Sequence, residues 1–274
     1  MLDLHLHSRA SDGTSTPADV IRHAAKRGAT VVALTDHDTT LGLAAARTAA
    51  EQARVRFLSG IEISATDGDE TSIHVLGYGF DETSPELARG LIELAGARCD
   101  RNVLIAARLA ALGMPVDLAR IEGSAEGTVG RPHFARALID LGYVRSFDDA
   151  FDRWLGNGRP AYVARSVVST SAAAELVHRA GGIAVLAHPL VYARDPLRTE
   201  ARFARAKAEG FDGVEVFHPG HSAGERDMLR WFARQHGLLM TGGSDLHDLD
   251  GPTQLAPLDC LDPILARIER SRAA

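Results

Sequence analysis

An α/β barrel of about seven strands with an inserted helical domain is the fold class that this 274-residue sequence predicts. Three observations predict it. Short apolar runs alternate with helical stretches over most of the length. Residues with metal-binding side chains recur at the ends of those runs. The alternation lapses between residues 98 and 165.

Leu2–Leu6 reads as the first strand, with Asp3, His5 and His7 on one face and Leu2, Leu4 and Leu6 on the other. Thr16-Pro17-Ala18-Asp19 is a capping-box-like start with proline at the first helical position, and that helix runs to Gly28. Thr30–Thr35 has the apolar run of a buried parallel strand, and an alanine-rich helix follows over Leu41–Ala53. Strand patterns recur at Arg56–Ile63, Thr71–Gly77, Ile183–Ala187, Gly213–Phe217 and Leu238–Thr241. Helical stretches at Ser171–Ala180, Pro196–Glu209 and Ala223–His236 separate the later ones. In the gap, Arg101–Leu112, His133–Leu141 and Phe147–Leu155 read as short helices with glycine-rich joints at Gly123–Gly130 and Gly156–Gly158. The expected organisation is a barrel from residues 1–97 and 166–274, with 98–165 as a helical lid domain over one end.

Composition narrows the function classes. Hydrophobic residues at 45% and charged residues at 24% describe an ordinary soluble globule. A net charge of −6 argues against a nucleic-acid-coating surface but leaves room for a locally positive pocket. Cys99 and Cys260 lie far apart without CxxC spacing, which suggests neither a disulfide framework nor a thiolate zinc site and fits the cytoplasm. No apolar run has membrane-span length, and a strand beginning at residue 2 leaves no room for a signal peptide. Aromatics at 5% make no evident RNA-stacking platform, and no stable protein partner is indicated.

The chemistry gathers at strand ends, where barrel enzymes build their sites. These ends carry His5, His7, Ser8, Arg9 and Asp12; Asp36, His37 and Asp38; Glu62; His74; His188; Glu215, His218 and His221; and Asp245 and His247. His23, His178 and His236 fall in helices and are expected at the surface. Nitrogen and carboxylate donors without thiolate suit Zn²⁺, Mn²⁺ or Fe²⁺ in a catalytic site. The donors His5, His7, Asp12, His37, Glu62, His74, His188, Asp245 and His247 exceed what one ion needs. A cluster of two or three divalent ions is therefore expected, with Glu62 as a bridging carboxylate. Asp12 is either an oxygen ligand, favouring Mn²⁺ or Mg²⁺ at its site, or a turn residue before Gly13. Asp36 and Asp3 either orient ligand histidines or are structural.

Taken together, His5-x-His7, Thr35-Asp36-His37-Asp38, Glu62, His74, Ala187-His188-Pro189 and Gly243-Ser244-Asp245-Leu246-His247 resemble the motif series of the PHP (polymerase and histidinol phosphatase) family. The resemblance implies a distorted (β/α)7 TIM-like barrel with a trinuclear centre. It implies one ion on His5, His7, Glu62 and Asp245, a second on Glu62, His74 and His188, and a third on Asp12, His37 and His247. Asp12 stands where many members carry histidine. Ser8-Arg9-Ala10-Ser11-Asp12-Gly13, Gly130-Arg131-Pro132-His133-Phe134-Ala135-Arg136 and Gly158-Arg159-Pro160-Ala161-Tyr162-Val163 resemble a narrower group. That group comprises nucleoside 3′,5′-bisphosphate phosphatases and 5′→3′ exoribonucleases acting on short RNA. The resemblance implies substrate contacts from Ser8, Arg9, Arg131, His133, Arg159 and His221, with Arg9, His133 and His221 as catalytic candidates and Mn²⁺ as the leading metal. Arginine suits the role through its planar, always-charged fork, and Arg9 beside His7 is expected to project near the metals. The lesser reading of Arg131 is a solvated helix-start charge. A phosphatase for histidinol phosphate, or a non-catalytic metal-binding module, are the competing readings.

Overall fold

The computed structural model describes residues 1–66, 72–164, 168–191, 196–252 and 254–273. Its strands are β1 (Leu2–Asp3), β2 (Val31–Leu34), β3 (Arg56–Thr66), β4 (Ser72–Tyr78), β5 (Val168–Ser169), β6 (Ile183–Leu186), β7 (Gly213–Phe217) and β8 (Leu239–Gly242). Its α-helices are α1 (Pro17–Lys26), α2 (Leu43–Ala53), α3 (Pro85–Ala111), α4 (Leu118–Ser124), α5 (Arg131–Asp140), α6 (Phe147–Ala150), α7 (Thr170–Arg179), α8 (Pro196–Ala208), α9 (Ala223–His236) and α10 (Leu261–Ala273).

The sheet runs β1-β2-β3-β4-β6-β7-β8, with β5 added on β3. It bends into a nearly closed barrel, because the Leu4 N–H donates to Gly242 O at 3.1 Å and the His7 N–H to Leu246 O at 3.0 Å. Gly243 permits this approach: a Cβ there would lie 2.3 Å from the His5 nitrogen. Most neighbours are parallel, but β4 is antiparallel to both β3 and β6. The sheet therefore departs from a strict strand–helix repeat at this point, since β3 and β4 pair directly over seven registered positions without a helical crossover. Residues 67–71 between them, including the expected strand start at Thr71, lie outside the described residues.

The first strand is shorter than its leucine alternation suggests. After Asp3 the chain leaves the ladder, and Leu6 makes only an isolated bridge to Leu246. Leu2, Leu4 and Leu6 are nonetheless fully buried in the barrel core. Alternation records which side chains face the core, whereas the ladder also requires a partner backbone in register.

Helix boundaries follow local chemistry. The Thr16 and Ser84 hydroxyls accept from the third residues of α1 and α3, each with proline at the helix start. The Ser84–Pro85 start makes α3 a single 27-residue helix, so the expected boundary at 97/98 falls inside it; the boundary at 165/166 lies outside the described residues. Residues between Ile105 and Val163 bury a second apolar cluster around Leu109, Phe134, Leu138 and Leu155, apart from the barrel core. His23, His178 and His236, expected at the surface, are half-buried, and His178 Nε2 lies 2.7 Å from Asp212 Oδ2.

Candidate metal centre

Glu62 on β3 is the hub. Its carboxylate is 1% exposed and lies within 3.3 Å of five imidazole nitrogens: His5 Nε2, His7 Nε2, His37 Nδ1, His74 Nδ1 and His188 Nε2. Asp245 Oδ1 stands 3.3 Å from His5 Nε2 and 3.1 Å from His7 Nε2. Asp12 Oδ1 is 3.3 Å from His247 Nε2, and its Oδ2 is 3.6 Å from His37 Nε2. The nine donors named from the sequence thus converge on one buried pocket. Their donor atoms group as His7–Asp12–His37–His247, His5–His7–Asp245, His5–Glu62–His188 and His37–Glu62–His74.

The surroundings orient these donors. The Glu215 carboxylate lies 2.9 Å from His5 Nδ1 and accepts the His188 backbone N–H at 2.8 Å. A carboxylate beside Nδ1 fixes the proton there and leaves the Nε2 lone pair facing Glu62 and Asp245. His247 Nδ1 likewise donates to Asp245 O at 2.9 Å, which turns Nε2 towards Asp12. His218 accepts the Gly220 N–H at Nδ1 and so presents Nε2–H to Asp245 Oδ2 at 3.2 Å. Three non-glycine residues here hold left-handed backbone: Asp38 (φ 54°), His188 (φ 22°) and Asp245 (φ 49°).

Asp36 and Asp3 brace loops and touch no histidine ring. Asp36 accepts from the Ser8 N–H, the Ser8 hydroxyl and the Ser11 hydroxyl, while Asp3 accepts from the N–H and hydroxyl of Ser244. Ser8, a candidate substrate contact, is fully buried with its hydroxyl spent on Asp36. Asp38 holds Ser64 and pairs with the buried Arg98 guanidinium, a tie that sequence signals left unseen.

The insertion docks directly on the loops that carry Asp12 and His37. The Thr128 N–H donates to Ala10 O at 3.0 Å and its hydroxyl to His37 O at 2.7 Å. Gly127 sits so close that a Cβ would lie 2.1 Å from Ala10 O. Arg9 points elsewhere than expected: its half-exposed guanidinium pairs with Glu126 at 2.6 Å. Arg131 donates to Leu155 O and Asn157 Oδ1, each at 3.1 Å, and stacks between the Phe151 and Tyr162 rings. Arg159 is exposed in the turn after Gly156. His133 is half-buried at the start of α5, and the His221 ring is buried with Nδ1 donating to Val216 O at 3.0 Å.

The electrostatics ask for positive charge. Burial works to raise Asp12, Glu62 and Asp245, but the imidazoles around them hold all three well below the usual carboxylate range. Burial alone would depress His7, yet the Asp245 and Glu62 carboxylates close beside its Nε2 push it up to about 10. His37, with histidine neighbours, is driven by burial down to about 3. His5 Nε2, both His7 nitrogens and His37 Nδ1 are buried without a hydrogen-bond partner. Orphaned imidazole nitrogens interleaved with ionised carboxylates are what divalent cations satisfy, so the residues fit the metals.

The PHP domain profile matches residues 3–155. The chain is 36% identical to a 5′-3′ exoribonuclease of Haemophilus influenzae, over 96% of each chain. It is also 36% identical to a 3′,5′-nucleoside bisphosphate phosphatase of Chromobacterium violaceum, over 100% of this chain and 96% of that one. A solved metal-dependent phosphoesterase from Bifidobacterium adolescentis superposes with a TM-score of 0.88 at 32% identity, covering 97% of this chain and 96% of the other.

Proposed function

This chain belongs to the PHP domain family, and from that premise we propose that it hydrolyses the 3′-phosphate of nucleoside 3′,5′-bisphosphates and trims short RNA in the 5′→3′ direction. It is a phosphoesterase, a hydrolase, and its clustered His, Asp and Glu donors suit divalent metals. The observation that carries the nucleotide reading is coverage: the likeness to nucleotide-acting relatives extends across 96–100% of the chain, insertion as well as barrel. A cytoplasmic location fits the two cysteines, which lack disulfide spacing.

His5, His7, Glu62 and Asp245 would hold one ion, Glu62, His74 and His188 a second, and Asp12, His37 and His247 a third. Mn²⁺ is the proposed metal, since the Asp12 carboxylate hardens its site relative to imidazole. Bound there, such ions polarise phosphoryl oxygens as Lewis acids and lower the pKa of water. The chain's own groups divide the remaining work. His133 accepts the Gly130 N–H at Nδ1, so its neutral ring carries the proton on Nε2 and can offer a hydrogen bond to a leaving oxygen. His221 has the opposite tautomer: Nδ1–H is committed to Val216 O, so Nε2 is a bare acceptor suited to a substrate hydroxyl. Burial keeps that ring neutral, with its pKa pushed down to about 4. Of the two candidates, His133 is therefore the one that offers an N–H to the leaving oxygen.

Phosphate release with Mn²⁺ from adenosine 3′,5′-bisphosphate, histidinol phosphate and a short 5′-phosphorylated RNA tests the reading. Preference for the bisphosphate, abolished by His7→Ala, is expected; equal or reversed preference for histidinol phosphate sinks it.

A further inference from the structure

A bisphosphate needs cationic recognition for the phosphate that is not hydrolysed. Two of the arginines that the sequence motifs brought forward are already committed, and Arg159 is exposed in a turn of the insertion. Arg9 is neutralised by Glu126, Arg131 is clamped between aromatic rings and carbonyl-type acceptors, and Arg98 is paired with Asp38. Arg226 spends its Nη1 on His221 O and Gln254.

Arg202 on α8 differs. It lines a pocket together with His74 and His188 of the metal centre, over a floor that includes Ile73, Leu186 and Pro189. Its Nη1 donates to Pro189 O at 2.8 Å, and it pairs with no carboxylate among the described residues. A guanidinium has five N–H donors, so most of its fork remains available. The bond to Pro189 O sets the guanidinium beside the ligand-bearing turn and lowers the entropic cost of using the rest of the fork. Apolar walls on one side concentrate its field in the pocket.

We propose that Arg202 is the anchor for the 5′-phosphate of the nucleotide, gripping that group through its remaining N–H donors while the 3′-phosphate lies at the metals. This rests on the nucleotide reading given above. Arg202 also has a structural bond, so the test must separate gripping substrate from propping the Pro189 turn.

The experiment compares wild type, Arg202→Met and Arg202→Lys, each loaded with Mn²⁺. Kinetics are measured on adenosine 3′,5′-bisphosphate and adenosine 3′-monophosphate, and binding of adenosine 5′-monophosphate is measured by calorimetry. The methionine variant is expected to raise KM for the bisphosphate by about 10–100-fold, as the loss of charge-assisted bonds implies, with kcat and metal content little changed. Turnover of the 3′-monophosphate stays as in wild type, 5′-monophosphate binding weakens in step, and lysine restores part of the loss. An equal decline on both nucleotides, a fall in metal content, or unchanged bisphosphate KM overturns the assignment. The calorimetry is independent of turnover. Arg202-dependent 5′-monophosphate binding by a protein that hydrolyses neither nucleotide would refute the activity and keep the anchor. Binding that is the same in wild type and Arg202→Met refutes the anchor whatever is hydrolysed.

Discussion

Replacing Glu215 by glutamine changes one oxygen for an amide and leaves the shape of the side chain intact. The wild-type carboxylate faces two donors, the His5 Nδ1–H at 2.9 Å and the His188 backbone N–H at 2.8 Å, in a site with no solvent exposure. Glutamine has one carbonyl oxygen and can satisfy only one of them. If it serves His5, the His188 N–H is orphaned in the core at a turn already held at φ 22°. If it serves His188, its amide faces His5, and the ring relieves the conflict by moving its proton to Nε2, the atom turned towards Glu62 and Asp245. Either outcome damages a candidate ligand. An orphaned buried donor costs about 1–3 kcal/mol. Loss of a partner that orients a ligand weakens metal affinity by about 10–100-fold, or about 1.4–2.8 kcal/mol, so the two routes agree in size. Calorimetric titration of the metal-free Glu215→Gln protein with Mn²⁺ should show this weakening, with the thermal midpoint lowered by several degrees. Unchanged affinity at every site in a normally folded variant would refute the orienting role and the tautomer assigned to His5.

Chelation should lower the thermal midpoint and Mn²⁺ should restore it, by about 5–10 °C for each site at metal levels a hundredfold above its dissociation constant; a midpoint blind to both would contradict a metal-filled pocket. Gly127→Ala places a Cβ 2.1 Å from Ala10 O and should part the insertion from the loops bearing Asp12 and His37. A loss of about 1–3 kcal/mol in unfolding free energy is expected, with fewer ions per chain in native mass spectrometry. His221 titrates at 6.5 when unfolded and near 4 when folded, so between those values the unfolded chain holds the extra proton and stability falls as pH drops, by about 3 kcal/mol in all. His221→Gln removes this contribution, and denaturant unfolding across that window should show a shallower decline than wild type; parallel declines would count against a buried neutral ring.

The amino-acid order by itself marked the candidate donors that the fold brings together. Asp3, His5 and His7 at alternate positions, the Asp36-His37-Asp38 run, and Asp245 with His247 are local patterns, and strand ends are where a barrel gathers its chemistry. The buried leucines and the helix start at Thr16–Pro17 were equally local, whereas the start of α3 at Ser84–Pro85 and its run across residues 97 and 98 outran the sequence reading. What only the tertiary structure decided are pairings between groups distant in the chain. These include the antiparallel β4, the loops held by Asp36 and Asp3, the grip of Glu215 on His5 across 210 residues, and the diversion of Arg9 to Glu126. Arg202 reaches the His74–His188 pocket because α8 packs there, and nothing in its own neighbourhood of sequence marks it. The physical reason is one of range: side-chain alternation and helix capping act over a few residues, whereas a charge chooses its partner only after the chain has folded back on itself.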